Sequence, residues 1–370
     1  MNRPDFPTSS ARRRIVVVST TILSLITVDL VIRHYDDELT AFYMNRYERK
    51  QQVLNRLSDK PEIILMGSSR VKYGLVPEEF QRVTGRRAFN LGIPASKVIE
   101  WQLYAEQCFA EYRPALVVLG INASAIRADY LPMPAATDLF HWEDFATYCK
   151  TDGWSDQVAK QYLTREIGSF WAFYHRRYGL KMLLQEQMGF LLPKHAQHAM
   201  ERRAMVAEPC PNDGYEHPWL KGRQLRNLGI KLEEDGEWVW SAAPPPFSPD
   251  APAITHFERF LAWFNQRGIR VIVAYLPNSP LAEERWRSVE PQMITAIEAS
   301  CRKHGIDFLP HNPKEIPATN YDYLQELHVG LPLARQISRR IAGHIVSLGL
   351  LPTDDESRLA KRTNSGVNVP

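Results

Sequence analysis

The run Ile63-Ile64-Leu65-Met66 is apolar at every position and stops abruptly at Gly67-Ser68-Ser69-Arg70. A strand with one wet face alternates apolar and polar residues. A run without alternation is covered on both faces, the condition of a strand inside a parallel sheet. The pattern returns at Ala88-Phe89-Asn90-Leu91-Gly92, at Ala115-Leu116-Val117-Val118-Leu119-Gly120, from Ile269 to Pro277, and in shorter form at Ile306-Asp307-Phe308-Leu309. Helical patterns separate these runs. Pro77 fits the first turn of one, Ser96 to about Tyr112 forms another, Phe257, Phe260, Leu261 and Phe264 mark a third, and a last helix reaches about Leu348. Strands alternating with helices predict an α/β fold, a parallel sheet with helices on both faces.

Two segments break the rhythm. Residues 125–253 are rich in Trp, Tyr, Phe and His and end in the proline-rich connector Ala242-Ala243-Pro244-Pro245-Pro246. An insertion of this length at a sheet edge predicts a largely helical cap. Within it Trp154, Phe170, Trp171, Phe173, Tyr174 and Tyr178 are expected mainly to pack against one another, and Trp238-Val239-Trp240 alternates like a strand. Near the amino terminus, Arg12-Arg13-Arg14 precedes an apolar stretch from Ile15 to Ile32 whose single charge is Asp29. About 18 residues is close to the minimum for a membrane-spanning helix. Arginines before the stretch and Asp36-Asp37-Glu38 after it favour a cytoplasmic amino terminus. No small-residue cleavage site follows, so an uncleaved signal anchor is expected. The expected organisation is a cytoplasmic start (1–14), an anchor (15–33), a helical linker (34–60), the α/β domain (61–124 and 254–350), the helical insertion (125–253) and a disordered tail (351–370).

Composition narrows the function classes. With 24% charged and 44% hydrophobic residues the chain is globular rather than disordered. A net charge of +3 with no basic stripe interleaved with aromatics argues against a nucleic-acid partner. Cys108, Cys149, Cys210 and Cys301 lie far apart and give no metal spacing. His195, His198 and Glu201 lack a further ligand and read as an exposed helix face. No metal and no cofactor is expected.

The chemistry-bearing residues fall in loops at strand carboxyl ends, where open α/β sheets place their ligands. These are Ser68 and Ser69 after the first strand, Gly92 after the second, Asn122 in Gly120-Ile121-Asn122 after the third, and His328 before the last helix. A serine hydroxyl attacks an ester only when a base takes its proton, a role for His328. The nucleophile's own N–H, the Gly92 N–H and the Asn122 side-chain amide are candidate oxyanion donors, the loss of any one costing about 100–1,000-fold in turnover. The alternative for the serines is that Gly67 makes a turn and they cap the next helix. Arg70 is a candidate for an anionic group or for a structural ion pair.

At these residues the chain resembles the SGNH/GDSL hydrolase superfamily. Gly67-Ser68-Ser69 stands where that family has Gly-Asp-Ser, with Ser69 at the nucleophile position. Asn90-Leu91-Gly92 resembles the second block, Gly120-Ile121-Asn122 the third, and Glu326-Leu327-His328 falls where the fifth has Asp-x-x-His. The resemblance covers about 61–125 and 254–345. Behind an amino-terminal anchor it looks most like the extracytoplasmic branch related to alginate O-acetylation and D-alanyl transfer proteins. It implies a three-layer, flavodoxin-like parallel sheet and a single-pass membrane protein with its domain outside the cytoplasmic membrane. It also implies a serine esterase or O-acyltransferase acting on acyl esters of envelope glycans, and a membrane-bound O-acyltransferase as a partner. One departure is notable: the residue three before His328 is Gln325, and the nearest carboxylates are Glu326 and Asp322. The resemblance therefore also allows a catalytically weakened binding or scaffold protein.

Overall fold

The five glycine-stopped or short apolar runs become five parallel strands of one sheet; the inner ones bury side chains on both faces, while the edge strand at Asp307–Leu309 leaves Asp307 exposed. The computed structural model describes residues 9–35, 46–127, 140–197, 199–200, 213–215, 247–325 and 328–351. In chain order the elements begin with α1 (Ser9–His34), α2 (Arg46–Arg56), β1 (Ile63–Gly67), α3 (Ser69–Gly74), α4 (Pro77–Thr84), β2 (Ala88–Asn90), α5 (Val98–Cys108) and β3 (Leu116–Ile121). A 3₁₀ turn (Ala123–Ile126) follows, then α6 (Trp142–Asp152), α7 (Asp156–Phe170), α8 (Ala172–His175) and α9 (Arg177–Gln187). The sheet resumes through α10 (Pro252–Gln266), β4 (Arg270–Tyr275), α11 (Pro280–Trp286), α12 (Glu290–Lys303) and β5 (Asp307–Leu309). The chain ends with β6 (Tyr323–Gln325), β7 (His328–Val329) and α13 (Leu331–Ser347). Two compact units result: Arg46–Val158 with Cys210–Pro370, and Met1–Asn45 with Ala159–Pro209.

In the larger unit the strand order is β2-β1-β3-β4-β5, all parallel. The chain leaves β1 toward β2 on one side and returns to β3 on the other. The carboxyl ends of β1 and β3 therefore flank a switch point, where such sheets open a crevice. Every residue of β1 and β3 is buried. Leu333, Ile337, Ile341 and Ile345 recur at helical spacing on α13 and pack with Ile63, Leu65, Leu116, Val118 and Ile272 in one core.

Gly67 and Gly120 stand opposite each other in the β1–β3 register. Gly67 has φ +149°, and a Cβ there would lie 2.5 Å from the Gly120 carbonyl oxygen and 2.6 Å from Val71 Cγ2. A Cβ on Gly120 would lie 2.4 Å from the same Val71 methyl. The paired absence of side chains lets Val71, and with it α3, settle onto the sheet end.

Helix α2, expected as a linker, is packed: Tyr47, Lys50 and Leu54 are all buried. The Lys50 ammonium donates to the carbonyls of Asn90 (2.9 Å) and Gly214 (2.8 Å), which offsets the cost of burying the charge. Residues 213–215 lie along the end of β2, where the Asp213 carbonyl accepts from the Asn90 N–H at 2.7 Å. In the same unit, α6 is tied to α10 by the side chains of His256 and Asp152, 2.5 Å apart and both buried. A short antiparallel hairpin, β6–β7, stands where the sequence suggested a direct lead into the last helix. Strands of two or three residues are too short to show a period.

In the smaller unit α1 is long and apolar enough to cross a membrane, with a mean hydropathy of 2.4 over its apolar window. Asp29 pairs with Arg33 at 2.8 Å and accepts from the Phe173 N–H at 3.3 Å. Ile32 and Ala172 form a small core with Phe173, Leu180 and Leu183. Packing inside the insertion does not hold for Phe170, which is 83% exposed, nor for Trp154 at 68%. Trp238-Val239-Trp240, Cys210, His198, Glu201 and the tail after 351 lie outside the described residues. Cys108, Cys149 and Cys301 are free thiols.

Gly67→Ala should destabilise the chain well beyond Gly85→Ala, whose φ of +71° carries strain of about 1–2 kcal/mol but whose added Cβ meets nothing. Urea unfolding of the two variants measures the difference, which reports the crowding between Gly120 and Val71.

Candidate active site

Helix α3 starts directly after β1, so its first residues sit at the sheet's carboxyl edge. Ser68 is the N-cap and its hydroxyl accepts from the Arg70 N–H at 3.4 Å. Of the two serines, capping therefore describes Ser68. Ser69 is the first helical residue, and its Oγ lies 2.8 Å from Nε2 of His328. The histidine arrives on β7, whose residues pair across the hairpin as Gln325 with His328 and Tyr323 with Val329. The Tyr73 ring stands edge-on to the imidazole, with centroids 5.4 Å apart. The Tyr73 carbonyl in turn accepts from the Tyr215 hydroxyl at 3.2 Å.

Burial, and after it the nearby Arg70 charge, holds His328 down to a pKa of about 4. At neutral pH the ring is uncharged and able to accept a proton. A base held so low is always ready but pulls more weakly on the serine proton than one matched to the operating pH.

Gly92 lies against the first turn of α3: a Cβ there would come within 2.3 Å of the Lys72 nitrogen. Its N–H donates to Asn90 Oδ1 at 2.9 Å, while the Asn90 amide donates to the carbonyls of Val71 (2.8 Å) and Leu75 (2.7 Å). Asn90 thus clamps α3 beside the loop, and the Gly92 amide is a donor shared with Asn90. Asn122 is buried at the head of the 3₁₀ turn after β3. The Asp322 carboxylate accepts from the N–H (2.7 Å) and hydroxyl (2.9 Å) of Thr319, capping its own turn. Glu326 lies outside the described residues.

Arg70 points inward and is 6% exposed. Its guanidinium donates to the Pro277 carbonyl at 2.7 Å and to Asn278 Oδ1. Asn278, itself 1% exposed, donates from Nδ2 to Glu290 at 2.6 Å, and its carbonyl accepts from the Tyr323 hydroxyl at 2.6 Å. The Tyr275 hydroxyl also donates to Glu290. This cluster joins α3, which carries Ser69, to the hairpin that carries His328, through the loop after β4. Burial raises the carboxyl pKa of Glu290, and burial with the neighbouring Glu290 charge lifts Glu283 to about 7. Arg70 is thus a buried cation held by the neutral acceptors of Pro277 and Asn278, not the ion pair the sequence suggests, and Glu290 is reached only through Asn278. Asn278, Glu290 and Tyr323 carry no sequence signal that would have marked them. A separate groove of about 560 Å³, lined by residues such as His311, Glu315, Arg340 and His344, shares no lining residue with the serine and histidine. Among the described residues no cluster of histidine, cysteine and carboxylate groups is suited to a metal.

Reactivity of Ser69 toward a fluorophosphonate should stay level from neutral pH down to about pH 5. It should fall as pH drops through about 4, where His328 takes a proton and can no longer accept one; labelling rates across pH measure this. Asn278→Ala should cost about 1–3 kcal/mol in urea unfolding, since it takes one acceptor from a buried guanidinium and one donor from a buried carboxyl group, leaving each with a single partner named above. Compared with known proteins, the chain matches no protein-family model and no curated protein.

Proposed function

We propose that the chain is a membrane-anchored serine esterase or O-acyltransferase of the SGNH type, facing the cell exterior or periplasm and acting on acyl esters of envelope glycans. The observation that carries this reading is the 2.8 Å contact between Ser69 Oγ and His328 Nε2 at the carboxyl edge of a parallel sheet. The strand order supports it too, since β2-β1-β3-β4-β5 is the flavodoxin-like order that places ligands at the β1/β3 switch point.

Ser69 Oγ attacks the ester carbonyl while His328 Nε2 takes the hydroxyl proton. The carbonyl oxygen becomes an oxyanion, met by the Ser69 N–H, the Gly92 N–H shared with Asn90, and the Asn122 amide. Collapse breaks the bond to the leaving alcohol, which takes the proton from His328 and leaves an acyl group on Ser69. A water or a sugar hydroxyl then attacks the acyl carbonyl, with His328 again as base, and restores the serine. Orientation of the imidazole falls to the hairpin and the Tyr73 ring. Helix α1 holds the domain at the membrane, where a membrane-bound O-acyltransferase is the partner that supplies or receives acyl groups.

A second reading keeps the fold as a binding module for such a partner. Two observations favour it: the Gly92 N–H is engaged by Asn90, and the Asp322 carboxylate caps Thr319. The test is fluorophosphonate labelling and p-nitrophenyl acetate hydrolysis by the full chain in detergent. Ser69→Ala should abolish labelling, and His328→Gln should slow it by about 10³-fold or more. A wild-type chain that neither labels nor hydrolyses, yet retains glycan or partner binding in both variants, would favour the binding module.

A further inference from the structure

The apolar stretch Ile15–Ile32 is about 27 Å long at 1.5 Å per residue, close to the roughly 30 Å of a bilayer's hydrocarbon. If it spans, residues 29–33 sit at the hydrocarbon boundary, and whatever packs on them is held at headgroup level. The α7–α8 junction packs there. Arg33 Nη2 donates to the Phe170 carbonyl at 3.3 Å, the Phe173 N–H donates to Asp29, and Ala172 packs on Ile32. At this level the chain exposes large apolar side chains. Leu163 (56%), Ile167 (55%) and Phe170 (83%) repeat at i, i+4, i+7 on one face of α7. Phe190 and Leu191 are exposed beyond α9. An exposed apolar row of this kind on a water-soluble surface is a liability. At a headgroup boundary it is the anchoring face of an interfacial helix.

Charge and ring content point to the same occupant. Residues 159–200 carry six lysines and arginines (Lys160, Arg165, Arg176, Arg177, Lys181, Lys194) against two glutamates. Such an excess suits anionic lipid headgroups. Trp171 and Tyr174 stack beside Phe170, with the Arg177 guanidinium 4.1 Å over the Tyr174 ring. Aromatic rings and cations at one level are the pattern of a membrane interface.

We propose that α7 and the α7–α8 junction lie on an anionic lipid headgroup surface beside the end of α1, with Ile167 and Phe170 inserted among the upper acyl carbons. The inference rests on α1 spanning the bilayer and is independent of the chemistry at Ser69. The full chain, in nanodiscs containing anionic phospholipid, would carry an environment-sensitive fluorescent amino acid at one position at a time: 23, 167, 170 or 302. Leu23 lies mid-span, and Arg302 is an exposed position on α12. Expected is loss of emission at 167 and 170 to a nitroxide high on the acyl chain, at 23 to a nitroxide near the chain end, and at 302 only to aqueous iodide. Quenching at 167 and 170 by iodide alone, with 23 still reached by the deep nitroxide, overturns the proposal and leaves the span standing. Protection of 167 and 170 from both quenchers means that protein covers the face, and also overturns it. Failure of the deep nitroxide to reach 23 removes the span and the proposal together.

Discussion

Two glycines facing each other across β1 and β3 set the position of the candidate site. A single added methyl on either meets Val71, so the first turn of α3 can approach the sheet only because both lack side chains. That approach puts Ser69 at the switch point rather than above it. Gly92 repeats the device from the β2 side, where its bare Cα accepts the Lys72 backbone. The serine's placement thus begins as a packing problem, solved by three backbone positions before any functional group is involved.

A second constraint operates beneath the site. Placing the Arg70 guanidinium in the interior is unfavourable unless its donors and its charge are met. Pro277, Asn278 and Glu290 meet them, and because these residues come from the loop after β4 and the start of α12, the solution also fastens three parts of the fold together. The same cation lies close enough to depress the proton affinity of His328. Anchoring and electrostatics come from one residue and cannot be tuned separately.

The sheet was legible because strands buried on both faces write unbroken apolar runs, as Ile63–Met66 and Ala115–Leu119 do. Ser69 was legible from the turn after the first run, and His328 from its place before the last helix. The hairpin that delivers His328 was not, since β7 has two residues and no period can appear in two. Asn278 and Glu290 were hidden for another reason: their roles come from where the loop and helix ends meet in space, which no local pattern encodes. Lys50 falls in the helical linker expected over 34–60, where a lysine signals solvent; its burial depends on the carbonyls of Asn90 and Gly214, which no local pattern shows.

The contact between Ser69 and His328 joins positions 259 residues apart. A chain made from its amino terminus exposes Ser69 long before His328. Until the final strand pair and helix have formed, Ser69 is an ordinary alcohol with no base beside it. The contact therefore appears only when this part of the fold is complete.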